Sequence, residues 1–264
     1  MYPYELFFGI DLYTVMLGIA VFLAIIIFRI YADKFKMKAS YQNFCLLTGG
    51  VSIAVGYFSA VLFQAFYNIE KYGKFQINSE TGATFYGGLI GGALTFIVIY
   101  FGIGRIKFKD SDYVKSFFDV ANIAAASISI AHAVGRVGCF WAGCCHGKET
   151  DAWYGVYMAA AGAKVVPVQL FEAIFLALLF AFFLFRLAGG KRYNLAIYMC
   201  TYGIWRFVME YFRDDYRGST VVDFLTPSQL VALLMALGAI CVGLVEYAVL
   251  KKIKEKAENT NELE

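Results

Sequence analysis

Charge is what this chain has least of. Asp, Glu, Lys and Arg make up 16% of its 264 residues and hydrophobic residues 60%, where a soluble domain carries about 25% charged residues. That shortage excludes an ordinary water-soluble domain and leaves a lipid bilayer as the solvent. Histidine is rarer still, with two in the chain. There is no detectable internal repeat and no soluble domain beyond the loops. The leading MYPYE carries no positive charge and the apolar run after it is too long for a signal-peptide core, so the first span is expected to be retained. A net charge of +3 gives no reason to invoke nucleic acid.

What is present is a series of apolar runs long enough to cross about 30 Å of hydrocarbon, which takes roughly 20 residues. Seven are read: Phe7 to Ile30, Tyr41 to Phe66, Thr84 to Gly104, Val114 to Gly135, Pro167 to Leu187, Leu195 to Phe212 and Ser228 to Leu250. The expected fold is an all-α integral membrane protein with one seven-span domain over residues 1–250 and a short tail over 251–264. Fifteen of the 23 basic residues lie in alternate connections and the tail, at Arg29 to Lys38, Arg105 to Lys115, Arg186 to Arg192 and Lys251 to Lys256. Cytoplasmic loops keep Lys and Arg, so the N-terminus is placed outside and the C-terminus in the cytoplasm. The basic loops also suit contacts with anionic membrane lipid.

A charge near the bilayer centre costs at least about 2.5 kcal/mol, so polar residues inside spans need a reason. In the fourth span Asp119, Asn122, Ser129, His132, Arg136 and Cys139 are spaced by three, four or seven and share one helical face. Such a stripe suits the wall of an internal cavity or a helix interface held by hydrogen bonds. A permanent guanidinium at the end of the span, Arg136, is an anchor for phosphate. In the sixth span Tyr202, Arg206 and Glu210 follow at intervals of four, with Arg213 three further on. The Arg206 and Glu210 pair serves either structure or a site, since a buried charge is best tolerated when paired. Gln169 and Glu172 stand one turn apart after Pro167, and Glu172 suits equally a partner for another helix's arginine and a catalytic role. The glycines of YGGLIGG, from Tyr86 to Gly92, fit either a close helix contact or a backbone that approaches a ligand.

Taken in order, YGGLIGG, GRVGCF, PVQLFE, YGIWRFVMEYFR and TPSQL resemble the phosphatidylglycerol:prolipoprotein diacylglyceryl transferase family. The resemblance covers most of the chain in outline. It implies a transferase of the bacterial cytoplasmic (inner) membrane, with seven spans and lateral entry of lipid. The reaction it implies moves a diacylglyceryl group from phosphatidylglycerol to the lipobox cysteine of a prolipoprotein signal peptide and releases glycerol phosphate. It implies no cofactor. Arg136 and Arg206 become the essential arginines, with Tyr86 and His132 in the catalytic group. Gly87, Gly88, Gly138, Cys139, Gln169, Tyr202, Glu210 and Arg213 become the substrate-binding group. The chain departs from the family pattern at Tyr86, where a histidine is usual, at Cys139, Ala142 and Cys144, in place of two asparagines and a glutamate, and at Val166, in place of another histidine. Those departures leave room for a different acceptor, for a lipid-binding or transport protein, or for a thiol redox protein.

Three of the six cysteines and both histidines lie within residues 132–146: His132, Cys139, Cys144, Cys145 and His146. A disulfide, a metal site, reactive thiol chemistry and plain packing all fit this cluster, although its spacing matches no standard zinc motif, and no metal is assigned. With Tyr86 where a histidine is usual, His132 is the candidate proton acceptor, one turn before Arg136 on the same face.

Overall fold

The structure is a computed structural model that describes residues 5–7, 9–78, 81–109, 113–213 and 224–261. Its helices are α1 (Leu12–Lys34), α2 (Ala39–Tyr72), α3 (Phe85–Ile99), the single turn α4 (Arg105–Lys107), α5 (Tyr113–Ala142), α6 (Val168–Ala188), α7 (Asn194–Met209) and α8 (Pro227–Asn261). Among the described residues, six stretches are long and apolar enough to cross a membrane: Leu12–Lys34, Ala39–Ile69, Gly87–Lys107, Ser116–Ala142, Val168–Ala188 and Pro227–Glu255. Their outward faces are apolar, as at Ile53, Phe58, Leu178, Phe185 and Leu244, which suits hydrocarbon as the solvent. The chain is a predominantly helical, multi-pass membrane protein.

The expected sixth span falls short of that measure. α7 has 16 residues, about 24 Å at 1.5 Å per residue, before a tighter 3-10 turn over Glu210–Phe212. Other boundaries move outward. α5 runs beyond Gly135 through GRVGCFWA and stops where Gly143 takes a left-handed φ of 73°, a conformation that closes helices and suits glycine. α8 continues beyond Leu250 to Asn261, lined by exposed Lys251–Glu255 and Lys254–Glu258 pairs.

Two short antiparallel ribbons were not expected in an all-α chain. β1 (Glu5–Phe7) pairs with β2 (Ile10–Asp11), and β3 (Val156–Met158) pairs with β4 (Ala163–Val165). The second ribbon fills the connection between α5 and α6.

The chain divides into two compact units, residues 33–116 and residues 1–32 with 117–264. In the first, α2 and α3 meet through small residues. A Cβ added to Gly91 would lie 2.4 Å from the Ser59 Cβ, one on Gly87 would lie 2.7 Å from the Phe63 Cβ, and one on Gly56 would lie 2.9 Å from the Gly88 carbonyl oxygen. The glycines of YGGLIGG thus let two backbones approach closely. Gly91→Ala is therefore expected to cost about 1–3 kcal/mol through overpacking, read as a lower melting temperature in detergent. Gly49→Ala, where an added Cβ meets nothing within 4 Å, is the control and leaves that temperature unchanged.

In the second unit the small residues recur between α7 and α8, where Gly203 lies under the Ala232 carbonyl and the Ala236 methyl. α1 packs on α5, with Tyr13 and Met16 against Gly138, and reaches α6 through a hydrogen bond from the Tyr31 hydroxyl to the Leu184 carbonyl. One end of this unit is pinned by a polar network. The Asn122 amide donates to Glu246 Oε1 at 2.7 Å, the Asn194 backbone N–H donates to Asn122 Oδ1 at 2.6 Å, and Arg192 pairs with Asp119 at 2.7 Å. Arg186 closes the network by donating to Asn194 Oδ1.

Asn122, Asn194 and Glu246 are all buried, so each lost bond strands a polar group. Asn122→Ala is expected to cost about 1–3 kcal/mol for each orphaned partner, checked by thermal unfolding. The stripe on α5 therefore divides. Asp119 and Asn122 hold helices together, Ser129 bonds back to the Ala125 carbonyl, and only His132, Arg136 and Cys139 remain to serve a site.

Candidate active site

Glu172 is the hub of that site. It lies in the first turns of α6, after Pro167 has set the start of the helix, and it is fully buried. Three side chains from two other helices converge on its carboxylate. Arg136 of α5 places Nε 3.0 Å from Oε2, the Tyr202 hydroxyl of α7 donates to Oε1 at 2.7 Å, and His132 Nε2 stands 3.6 Å from Oε1. The other His132 ring nitrogen faces the Tyr198 hydroxyl at 3.4 Å. The Tyr198 and Tyr202 rings stack one turn apart, and His132 meets the Tyr202 ring edge-on at 4.9 Å. Arg206 is near enough to act on Glu172 as well.

A second carboxylate anchors Arg206. Its Nη2 lies 2.7 Å from Glu210 Oε2 and donates to the Ser228 hydroxyl at 3.0 Å. Glu210 Oε1 in turn accepts from the Thr226 hydroxyl at 3.0 Å. Thr226 is also the cap of α8: its hydroxyl accepts from the Gln229 backbone N–H, while Gln229 Oε1 accepts from the Thr226 N–H. This reciprocal arrangement, with proline at the first helical position, fixes where the helix begins. The same residues that start α8 therefore orient the acidic partner of Arg206. Arg206 keeps hydrogen-bonding capacity: its Nη1 is buried and has no hydrogen-bond partner among the described residues.

The thiols gather beside Arg136. Cys139 sits on the last turn of α5, and the Cys139, Cys144 and Cys145 sulfurs all lie within 4.8 Å of one another; all three are free thiols. The Cys139 and Cys144 thiols hydrogen-bond to Cys145 and hold it well below the ordinary thiol range, and Arg213 and Arg136 add to that effect. Cys144, facing the same two thiols, is pushed up.

The loop that carries these cysteines is tied down at several points. Gln169 of α6 donates to the Cys144 carbonyl, Gly147 N–H donates to the Val166 carbonyl at 2.9 Å, and Lys148 N–H donates to the Phe212 carbonyl at 2.9 Å. A Cβ on Gly147 would lie 2.5 Å from the Phe212 carbonyl oxygen, so glycine alone fits between these strands. The Gly147 and Arg213 backbones form a β-bridge, which brings Arg213 to the edge of the thiol cluster.

The residues expected for a site are thus partly brought together. His132, Arg136, Tyr202, Arg206 and Glu210 form one connected group, and Gln169, Cys139 and Arg213 surround the adjoining loop. Gly138 lies against α1. Gly87 and Gly88 belong to the unit of residues 33–116, where they serve the contact between α2 and α3. The side chain of Tyr86 lies outside the described residues. Glu172, which by its sequence suits a helix partner and a catalytic role equally and stands outside the expected site residues, lies at the centre of this group. Tyr198, Thr226 and Ser228 were missed. Tyr198 stands four residues before Tyr202, a spacing that places both rings on one face.

The family model described as prolipoprotein diacylglyceryl transferase matches residues 4–245. Phosphatidylglycerol--prolipoprotein diacylglyceryl transferase 2 of Clostridium perfringens is 35% identical over 169 residues, 60% of each chain. The Clostridium tetani phosphatidylglycerol--prolipoprotein diacylglyceryl transferase is 34% identical over 160 residues, 58% of this chain and 59% of the relative. That of Francisella tularensis subsp. novicida is 31% identical over 187 residues, 68% of this chain and 65% of the relative. The chain thus spans about three fifths of the length of the first of these relatives. With the family model matching nearly its whole length, the chain belongs to the prolipoprotein diacylglyceryl transferase family.

Proposed function

We propose that this protein transfers a diacylglyceryl group from phosphatidylglycerol to the lipobox cysteine of a prolipoprotein signal peptide. The observation that carries this reading is the pair of guanidiniums, Arg206 buried and Arg136 half-buried. Arg136 and Arg206 are each held by a buried carboxylate, and Arg206 keeps its Nη1 without a hydrogen-bond partner among the described residues. A phosphodiester brought into an apolar site needs donors of this kind, and preorganised donors gain strength where water is excluded.

In the reaction the acceptor thiol loses its proton and the thiolate sulfur attacks the glyceryl carbon. The carbon–oxygen bond to phosphate breaks, and its electron pair leaves on glycerol phosphate, where the arginines meet the charge. His132 takes the thiol proton, oriented by Glu172 on one nitrogen and Tyr198 on the other. Tyr202, Glu210, Gln169, Arg213 and Cys139 line the same site. α7 with its 3-10 turn makes the sixth of seven spans in a single membrane domain. The N-terminus faces outward and the residues after 250 face the cytoplasm, which places the reaction at the outer leaflet of the bacterial inner membrane.

Purified protein incubated with phosphatidylglycerol and a lipobox peptide is expected to yield a diacylglyceryl thioether, read by mass spectrometry. If no thioether forms, this activity is wrong. His132→Ala is expected to reduce turnover and change its pH profile; turnover unchanged at every pH would remove His132 as the base.

A further inference from the structure

We propose that Cys139, Cys144 and Cys145 form a three-thiolate site for a soft divalent cation of the zinc type. The three sulfurs already lie within 4.8 Å of one another. Tetrahedral zinc with bonds of about 2.3 Å holds its sulfurs about 3.8 Å apart. Closing the site thus needs a contraction of about 1 Å on that geometry, and Cys144, which is exposed on the loop, has room to make it. A disulfide would use two of the three and leave the third over. The adjacent pair Cys144 and Cys145 is poorly suited to one, because a bridge between neighbours departs from relaxed geometry.

The backbone supports convergence independently of the sulfurs. Gly143 and Cys145 both take left-handed conformations, with φ of 73° and 62°, and fold the segment back over the end of α5. For cysteine that conformation is strained and persists only where the surroundings impose it. The surroundings are the Gln169 bond to the Cys144 carbonyl and the backbone bonds of Gly147 and Lys148. Charge is also balanced. Three thiolates around a divalent cation carry one net negative charge, and Arg136 and Arg213 are near enough to offset it. On binding, whichever of the three sulfurs are still protonated release their protons to solvent, and no oxidant is needed. The bound ion ties the loop to the last turn of α5, one turn beyond Arg136.

The test uses the full chain in detergent, stripped of metal and kept reduced, titrated with Co²⁺ as a spectroscopic probe. The expected result is one Co²⁺ per chain with a near-ultraviolet thiolate charge-transfer band that Zn²⁺ abolishes. Cys139→Ser, Cys144→Ser and Cys145→Ser each weaken binding at least tenfold, while the triple Cys45→Ser, Cys200→Ser, Cys241→Ser variant binds as the unaltered chain does. A second measurement needs no variant: Zn²⁺ shields the three clustered cysteines, but not Cys241, from maleimide alkylation, read by mass spectrometry. Absence of the band in the fully reduced chain overturns the proposal. So does alkylation that Zn²⁺ does not slow. The spectrum and the footprint do not depend on transferase activity, so the metal site and the proposed reaction fail or stand separately.

Discussion

Glu172→Ala is expected to be the most damaging single change in the membrane interior, costing about 3–5 kcal/mol. The figure follows from what is stranded. Arg136 loses the carboxylate 3.0 Å from its Nε, and the Tyr202 hydroxyl and the His132 ring lose the acceptor they share. A guanidinium cannot shed its charge to escape burial, so the desolvation cost stays in full. Glu172→Gln separates the contributions. It keeps an oxygen for Tyr202 and removes only the charge, so it is expected to lie between the native chain and Glu172→Ala. Thermal unfolding in detergent reads the order directly. If Glu172→Ala and Glu172→Gln both unfold at the native temperature, Glu172 is not the hub described here.

Arg206→Ala carries the largest expected effect on turnover. Losing one preorganised donor to a developing anion costs on the order of 10²- to 10³-fold in rate. A phosphate leaving group is the place where such a donor acts. Arg206→Lys retains the charge and one nitrogen to take the place of Nη2, which meets both Glu210 and Ser228. Lysine lacks the second nitrogen, Nη1, which is the donor left over for phosphate, so this variant is expected to recover little of the lost rate. The measurement is the initial rate of thioether formation at saturating phosphatidylglycerol, with folding checked in parallel. Near-native rates in Arg206→Ala would remove the guanidinium pair from the mechanism.

The parts of the site that were legible in the sequence are those set by local spacing. Arg206 and Glu210 are one turn apart on a helix, so their pairing follows from helical geometry, and the structure places them at 2.7 Å. His132 and Arg136 share a face for the same reason. Glu172 belongs to a different order of information. Its short sequence context offers a partner for some arginine, but which arginine depends on how α5 and α6 pack, and spacing within one helix does not encode that. The polar stripe on α5 shows the converse limit. Its periodicity is real, yet Asp119 and Asn122 spend their bonds on Arg192, Glu246 and the Asn194 backbone. The ribbon of β3 and β4 was missed because its strands are three residues long, too short for alternation to register. Tyr198 was missed because an aromatic at helical spacing looks the same whether it fills a core or faces a histidine.

The double duty of Thr226 has a consequence for how this protein tolerates change. One hydroxyl accepts from the Gln229 N–H and donates to Glu210, so both capacities of a single oxygen are used. Serine reproduces this. Aspartate, ordinarily a good cap, would set a second anion against Glu210, and alanine would abandon both partners. The set of viable codons at this position is therefore far narrower than at an ordinary helix start. A drifting lineage reaches serine there by one step and few other residues without first altering position 210.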